Sequence, residues 1–484
     1  MFKPKLLTCL EDYSPQQFRA DVASGVIVGV IALPLAIAFA IASGVSPDSG
    51  LVTAIVAGFL ISLLGGSRVQ IGGPTGAFVV IVYSIVQQFG IDGLILSTFM
   101  AGIILVVFGF AKFGGVIKFI PYPVTVGFTS GIAVLIATSQ LNDFLGMGIP
   151  SVPADFIEKW RLYSENIHHI SPYAVGISVV TVAIIFCWRK ISTIIPGSLV
   201  ALFLMTVLVA VMDFPVETIG SKFGDIPHSL PMPRLPNFSL EMIQSLLPSA
   251  FTIALLAAIE SLLSAVVADG MIGGNHRSNT ELIAQGIANT ASALFGGMPA
   301  TGAIARTMTN VQNGGRTPIA GIVHALTLVC IMYLFSKWVV YIPLACLAGI
   351  LMVVAYHMSE WRSFLMLLRS PRSDVSVLMT TFLLTIVFDL TLAIEIGIVM
   401  SAILLIRRLS LTQNIENITR EISRDDDHVD KLEFAQKDIP KGVEIFEISG
   451  PFFFAITATF TQIMNNLGKN SKVRILRMRN VSSI

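Results

Sequence analysis

Gln70-Ile71-Gly72-Gly73-Pro74-Thr75-Gly76-Ala77-Phe78 and, far along the chain, Gly296-Gly297-Met298-Pro299-Ala300-Thr301-Gly302-Ala303 are two breaker-rich stretches in apolar surroundings. The helical segment after each has only about 13–16 residues, ~20–24 Å long, too short to cross a hydrocarbon core of ~30 Å. Irregular backbone at membrane depth survives only where it lines a cavity or is buried in protein. Each stretch is therefore expected to run extended to the membrane midplane and to continue as a half-helix. Neither ends in the Gly-Lys-Ser/Thr of a nucleotide-binding P-loop, so an ATPase reading fails.

The rest of the chain supplies the membrane. Of 484 residues 54% are hydrophobic and 13% charged, about half the charge of a typical soluble domain. Apolar segments fall near 25–44, 50–66, 74–89, 93–112, 122–140, 172–188 and 196–212. A second series falls near 247–268, 281–296, 301–313, 317–336, 341–357, 374–388 and 390–408. Fourteen crossings are expected. Arg68, Lys112/Lys118, Arg189/Lys190, His276/Arg277, Arg316, Arg362/Arg369/Arg372 and Arg407/Arg408 follow even-numbered segments, and Lys3, Lys5 and Arg19 precede the first. The positive-inside rule then places both termini in the cytoplasm. Lys159/Arg161 and Lys337 break the alternation. Residues 1–24 read as a cytoplasmic N-terminus without a cleavable leader, 25–410 as the membrane domain, 411–440 as a linker and 441–484 as ordinary soluble sequence. A net charge of +1 argues against a nucleic-acid partner.

The two series echo one another, in repeats of about 25–212 and 247–410. Lys118-Phe119-Ile120-Pro121 with Gly127 matches Val340-Tyr341-Ile342-Pro343 with Gly349. Leu64-Gly65-Gly66 before Thr75-Gly76-Ala77 matches Phe295-Gly296-Gly297 before Thr301-Gly302-Ala303. The displacement is seven segments, and because seven is odd the second half enters the membrane inverted, a hallmark of secondary carriers. The first half-helix then runs outward from the midplane and the second inward, so both N-termini converge at the centre. Each carries unpaired N–H groups and roughly half a positive charge, which together favour an anion. Arg306 lies little more than a turn into the second half-helix. Its guanidinium costs about 2.5–3.5 kcal/mol at that depth, so it needs a partner in protein or water. Thr75 and Thr301 are candidates both for plain N-caps and for ligand contacts.

Glu260 is the acid in the middle of a long apolar segment, Leu256-Ala257-Ala258-Ile259-Glu260-Ser261-Leu262-Leu263-Ser264. Burial and a nearby guanidinium act on such a carboxyl in opposite senses, so Glu260 is a candidate carrier of a driving proton. A permanent Glu260–Arg306 ion pair is the bland alternative, and Ser264 one turn on keeps sodium open. No cofactor or metal is expected. Cys9, Cys187, Cys330 and Cys346 form no CxxC pair, and no HExxH or GxSxG element points to an enzyme.

With these residues assembled, the chain resembles the sulfate permease family of anion transporters, the bacterial relatives of solute carrier family 26. The resemblance rests on Pro34-Leu35-Ala36-Ile37-Ala38-Phe39-Ala40, Gly73-Pro74-Thr75 and Glu260-Ser261-Leu262-Leu263. It rests further on Asn279-Thr280-Glu281-Leu282-Ile283-Ala284-Gln285-Gly286-Ile287-Ala288-Asn289 and Gly302-Ala303-Ile304-Ala305-Arg306-Thr307. It implies an all-α polytopic membrane protein of the bacterial inner membrane, a seven-plus-seven inverted repeat. Spans one to four and eight to eleven would form a core, and five to seven with twelve to fourteen a gate. It implies a small anion as substrate, such as sulfate, bicarbonate or a C4-dicarboxylate, held by Thr75, Gly76, Ala77, Phe78, Thr301, Gly302, Ala303 and Arg306. Glu260 would be the coupling residue, with Ser264 beside it, and proton or sodium the coupling ion. The bilayer and a second copy, in a homodimer, are the implied partners. An anion exchanger or anion channel using the same central site is the alternative. Gly442 to Pro451 looks like an early strand of the family's α/β STAS domain, Ala458 to Leu467 a helix and Val473 to Met478 another strand. The sequence stops at Ile484, so this domain is expected to be truncated.

Overall fold

In a computed structural model the described residues are 2–11, 13–115, 121–150, 152–188, 190–191, 196–224, 229–236, 239–388, 390–411, 414–417, 443–449 and 473–480. The first half runs α1 (Lys5–Cys9), α2 (Pro15–Ala42), α3 (Pro47–Leu64) and a two-residue strand β1 (Gly72–Gly73). A 3-10 turn at Gly76–Phe78 leads into α4 (Val79–Phe110). Then come α5 (Tyr122–Ser139), α6 (Leu141–Leu145), α7 (Phe156–Glu165), α8 (Pro172–Trp188), α9 (Gly197–Met212) and α10 (Ile219–Phe223). The second half runs α11 (Leu240–Ile272), α12 (Ser278–Leu294), a second two-residue strand β2 (Thr301–Gly302) and α13 (Ile304–Gln312). It continues with α14 (Ile319–Val339), α15 (Leu344–Met358), α16 (Trp361–Leu367), α17 (Arg372–Val387) and α18 (Leu390–Leu411).

A helix lies on every expected apolar segment. Six stretches are long and apolar enough to cross a membrane by length and composition: Pro15–Ala42, Pro47–Leu64, Gly76–Phe110, Tyr122–Leu145, Leu240–Ile272 and Leu344–Leu367. Shorter apolar helices sit at Pro172–Trp188, Gly197–Met212, Ile319–Phe335 and Glu395–Leu404. Large apolar side chains lie open on the outside, Val211 at 78% and Tyr333 at 73%, as a lipid-facing surface requires. Local chemistry sets the boundaries. Ser14 caps α2 by accepting from the Gln17 amide, and Pro15 at the first helical position needs no donor of its own. Gly90, at φ 70° and ψ −170°, breaks α4 in two where the sequence predicted a loop; only glycine adopts that conformation cheaply.

The packing partners exchange with the halves. α2 packs on α14 as α4 packs on α11, and α3 on α14 as α4 on α12. Likewise α5 packs on α17 and α15 on α8. The proline motifs take equivalent places. Pro121 caps α5 at φ −67°, ψ 138°, and Pro343 caps α15 at φ −74°, ψ 135°. Gly127 and Gly349 are where these helices meet their partners. A Cβ on Gly127 would lie 2.7 Å from the Leu378 carbonyl oxygen, and one on Gly349 3.0 Å from that of Ser178.

Residues 1–397 form one compact unit and 398–484 a second. In the second, β3 (Asn414–Asn417) pairs antiparallel with β4 (Val443–Ser449), which pairs in parallel with β5 (Val473–Asn480). The strands expected at 442–451 and 473–478 are thus present, and a strand stands inside the stretch read as a linker. The helix expected at 458–467 lies outside the described residues.

Candidate functional site

The two breaker-rich stretches meet. β1 and β2 pair antiparallel, Gly72 opposite Gly302 and Gly73 opposite Thr301. The ladder continues outward through the Ala303 amide, which donates to the Ile71 carbonyl at 2.8 Å. The Ile71 amide donates to Thr307 Oγ1 at 3.1 Å. Two residues of sheet thus satisfy backbone that the apolar surroundings would otherwise leave unpaired. Close approach explains the composition: a Cβ on Gly302 would stand 1.5 Å from Gln70 Nε2.

From this crossing the chain enters two helical segments, one beginning at Gly76 and the other at Ile304. Their N-cap residues are Thr75 and Ala303, and neither helix has a side-chain cap. Thr75 thus holds the cap position expected of it without a capping hydrogen bond, and Thr301 is not the cap residue. Thr75 Oγ1 donates instead to Glu260 Oε2 at 3.2 Å, and Thr301 Oγ1 to the Ala257 carbonyl at 3.0 Å. Both threonines tie the crossing to α11, one turn apart. The uncapped first-turn N–H groups keep their positive end at the crossing.

Arg306 is 3% exposed. Its Nη2 donates to the Pro74 carbonyl, so the arginine of the second half is fastened to the break of the first. Its Nη1 is buried and has no hydrogen-bond partner among the described residues. Glu260 and Arg306 form no ion pair, which overturns the bland alternative. The carboxylate found a hydroxyl and the guanidinium a carbonyl, because the β1–β2 crossing carries Pro74 to Arg306 and Thr75 to Glu260. The remaining candidates surround this point. Gly76 packs against Met358, Ile136 and Phe39. Ala77 and Phe78 are fully buried, Gly302 is buried and Ala303 is 7% exposed. Ser264 lies behind α13, its hydroxyl 3.3 Å from that of Thr307. Ile304, Ala305 and Met308 form the open face of the short helix.

α12 holds the crossing in place. Glu281, Gln285 and Asn289 recur every four residues on one face, and all are fully buried. Glu281 Oε2 accepts from the Gly66 and Ser67 amides at 2.8 and 3.1 Å, and Oε1 from Gln285 Nε2 at 2.9 Å. Asn289 accepts from the Ala300 amide at 2.8 Å and donates to its carbonyl at 2.9 Å. One helix face therefore satisfies the chain entering both breaks. Sequence reasoning missed His324 on α14, fully buried, with neither ring nitrogen hydrogen-bonded. It stands near Gly58 and the Gly72 carbonyl. Its one signal was an imidazole inside an apolar helix.

A sequence profile described as the sulfate permease family matches residues 18–381. The putative sulfate transporter YvdB of Bacillus subtilis is 43% identical over 473 residues, 97% of this chain and 87% of that protein. The bicarbonate transporter BicA of Picosynechococcus is 33% identical over 469 residues, 94% of this chain and 82% of its own. The solved transmembrane domain of a cyanobacterial BicA superposes with a TM-score of 0.72 at 32% identity, covering 79% of this chain and 98% of that one. The murine Solute Carrier 26 family member A9 anion transporter in the inward-facing state shares the fold, with a TM-score of 0.87 at 18% identity over 99% of this chain and 83% of that one. The relatives named are transporters and not enzymes.

Proposed function

The chain belongs to the sulfate permease family, a multi-pass membrane family of transporters, and from that premise we propose that it moves a small anion across the bacterial inner membrane by alternating access, coupled to protons. The observation that carries this reading is the crossing itself. Two uncapped helix N-termini start on either side of a two-residue sheet, and a buried guanidinium with one unpartnered nitrogen lies against it. Such an arrangement leaves Arg306 without an ion-pair partner among the described residues, and the element that completes it is an anion. Glu260, hydrogen-bonded to Thr75 at the start of the first half-helix, can exchange a proton beside that anion without first breaking an ion pair. In this reading the fourteen segments form the seven-plus-seven inverted repeat, with both termini cytoplasmic. The core of α2–α4 and α11–α14 rocks against the gate of α5, α8, α9, α15, α17 and α18. The strands β4 and β5 would open a STAS domain; parallel strands need a crossover connection of a dozen or more residues, and 450–472 provides the length.

Sulfate and bicarbonate are the first substrates to try, because the relatives include a putative sulfate transporter and a bicarbonate transporter; succinate represents the C4-dicarboxylates. The test is uptake of each, radiolabelled, into proteoliposomes with and without an inward proton gradient, by wild type and Glu260→Gln. Proton-stimulated accumulation of one anion, lost in Glu260→Gln, is expected. Flux that dissipates gradients without accumulation, unchanged by the substitution, overturns proton coupling and leaves the exchanger or channel through the same site.

A further inference from the structure

Lys159 broke the alternation of basic loops in the sequence, and its surroundings give that exception a purpose. It lies on α7, in the loop the charge pattern places outside, yet is only 5% exposed. Lysines are almost never so buried unless paired. Among the described residues no carboxylate lies within salt-bridge distance of its ammonium. No hydrogen-bond acceptor among the described residues reaches it either. Asp155, the acid whose charge acts on it, caps α7 with one oxygen: Oδ1 accepts from the Ile157 and Glu158 amides, both at 2.9 Å. One side of the ammonium is covered by the Tyr83 ring, 5.7 Å from its centroid, a favourable but uncharged contact. Tyr83 is itself fixed, its hydroxyl donating to the Val152 carbonyl just ahead of α7.

The other side opens on a cavity of about 280 Å³. Its walls are α2 and α4 on one side and α5 with the end of α17 on the other, and the start of α7 covers it. Val79, Val80 and Ile81 line it directly after Phe78, so it continues along the half-helix that leaves the central crossing. Further along α4, Gln88 Nε2 donates to Ser84 Oγ at 3.2 Å. Both residues line the cavity. A buried cation that makes no ion pair among the described residues, two polar side chains and the seam between core and gate coincide here, with the Asp155 carboxylate also in the lining. Burial pulls the Lys159 ammonium below the ordinary lysine range, and Asp155 only partly opposes it; an anion in the cavity would supply the missing compensation.

We infer that Lys159, Ser84 and Gln88 form an outer capture site in which a small oxyanion, the transported one, binds before it reaches the crossing. The inference rests on the proposed anion transport for the ligand's identity, and on the cavity and its charge for the site. The direct test is amine acylation of the wild-type protein in nanodiscs, read by peptide mass spectrometry, with exposed Lys337 as internal reference. Sulfate or bicarbonate replacing gluconate at equal ionic strength is expected to slow acylation of Lys159 roughly threefold or more while leaving Lys337 unchanged. Equal rates in all three salts overturn the site. Protection seen only with anionic phospholipid, and absent in phosphatidylcholine discs, overturns a free anion as the occupant. In uptake assays Lys159→Gln should raise the KM for entry roughly three- to tenfold at unchanged Vmax, with Lys159→Arg close to wild type. An unchanged KM in Lys159→Gln overturns the capture role. If wild type protects Lys159 but moves none of the anions, the transport reading fails and the site stands.

Discussion

Gly73 is held at φ +147°, and a Cβ there would lie 2.5 Å from Arg306 Nη1 and 3.4 Å from the Ala54 Cα. Conformation and space thus both demand glycine, and the space is that of the guanidinium the site depends on. Gly73→Ala is therefore a way to move Arg306 without removing its charge. The methyl group must displace the guanidinium or the strand, and the positive φ adds strain on the order of 1–3 kcal/mol. We expect Gly73→Ala to lose anion uptake about as completely as Arg306→Ala while the protein still purifies as a folded species. Uptake near the wild-type level in folded Gly73→Ala would mean that the position of Arg306 at the Pro74 carbonyl is immaterial to transport. Comparing the two variants separates charge from placement: Arg306→Lys keeps the charge but not the planar donor geometry, and should resemble Gly73→Ala.

α12 shows how the broken elements are afforded in an apolar medium. Its polar side chains at 281, 285 and 289 meet the chain on either side of it: Gly66 and Ser67 before the first break, Ala300 at the second. Each lost partner would strand a buried donor or acceptor, at about 1–3 kcal/mol per group. Asn289→Ala strands both polar groups of Ala300, and Glu281→Ala strands two amides. We expect each variant to melt well below wild type in detergent, and Glu281→Gln, which keeps one acceptor oxygen, to lie between. Melting of Asn289→Ala at the wild-type temperature would show that water or rearranged backbone replaces the splint. This element was half legible. Glycine and proline announced the breaks at Gly72-Gly73-Pro74 and Gly297-Met298-Pro299, because they alone explain an interrupted apolar run. The run from Asn279 to Asn289 was visible only as a family motif; that its polar residues at four-residue spacing serve one face was not read from it. Which partners it met was not legible, since they lie more than 200 residues away for Glu281 (|i−j| 215 for Gly66). The same distance hid the register of β1 on β2 and the choice of Pro74, not Glu260, as the acceptor for Arg306.

Packing across the whole molecule follows the repeat rather than the order of the chain, and this bears on what each part contributes. Helices of the first half bury their faces against helices of the second, α2 and α3 on α14, α4 on α11 and α12, α5 on α17, α8 on α15. The halves therefore cannot fold as separate bundles that later dock, because each leaves the other's apolar face open. All of these pairs lie within residues 1–397, the first compact unit, and the family profile ends at 381 within it. The second unit holds β3, β4 and β5, and no residue of the crossing, of α12 or of the Lys159 cavity belongs to it. Removing residues 414–484 while keeping α18 should then leave the melting temperature, the KM and the Vmax for the transported anion unchanged. Proteoliposome uptake and thermal melting of the shortened chain against the full one would measure this. A folded shortened protein whose Vmax collapses at unchanged KM would assign the C-terminal strands a part in the rate of the core's motion against the gate, and one that no longer folds would make them part of the membrane unit's stability.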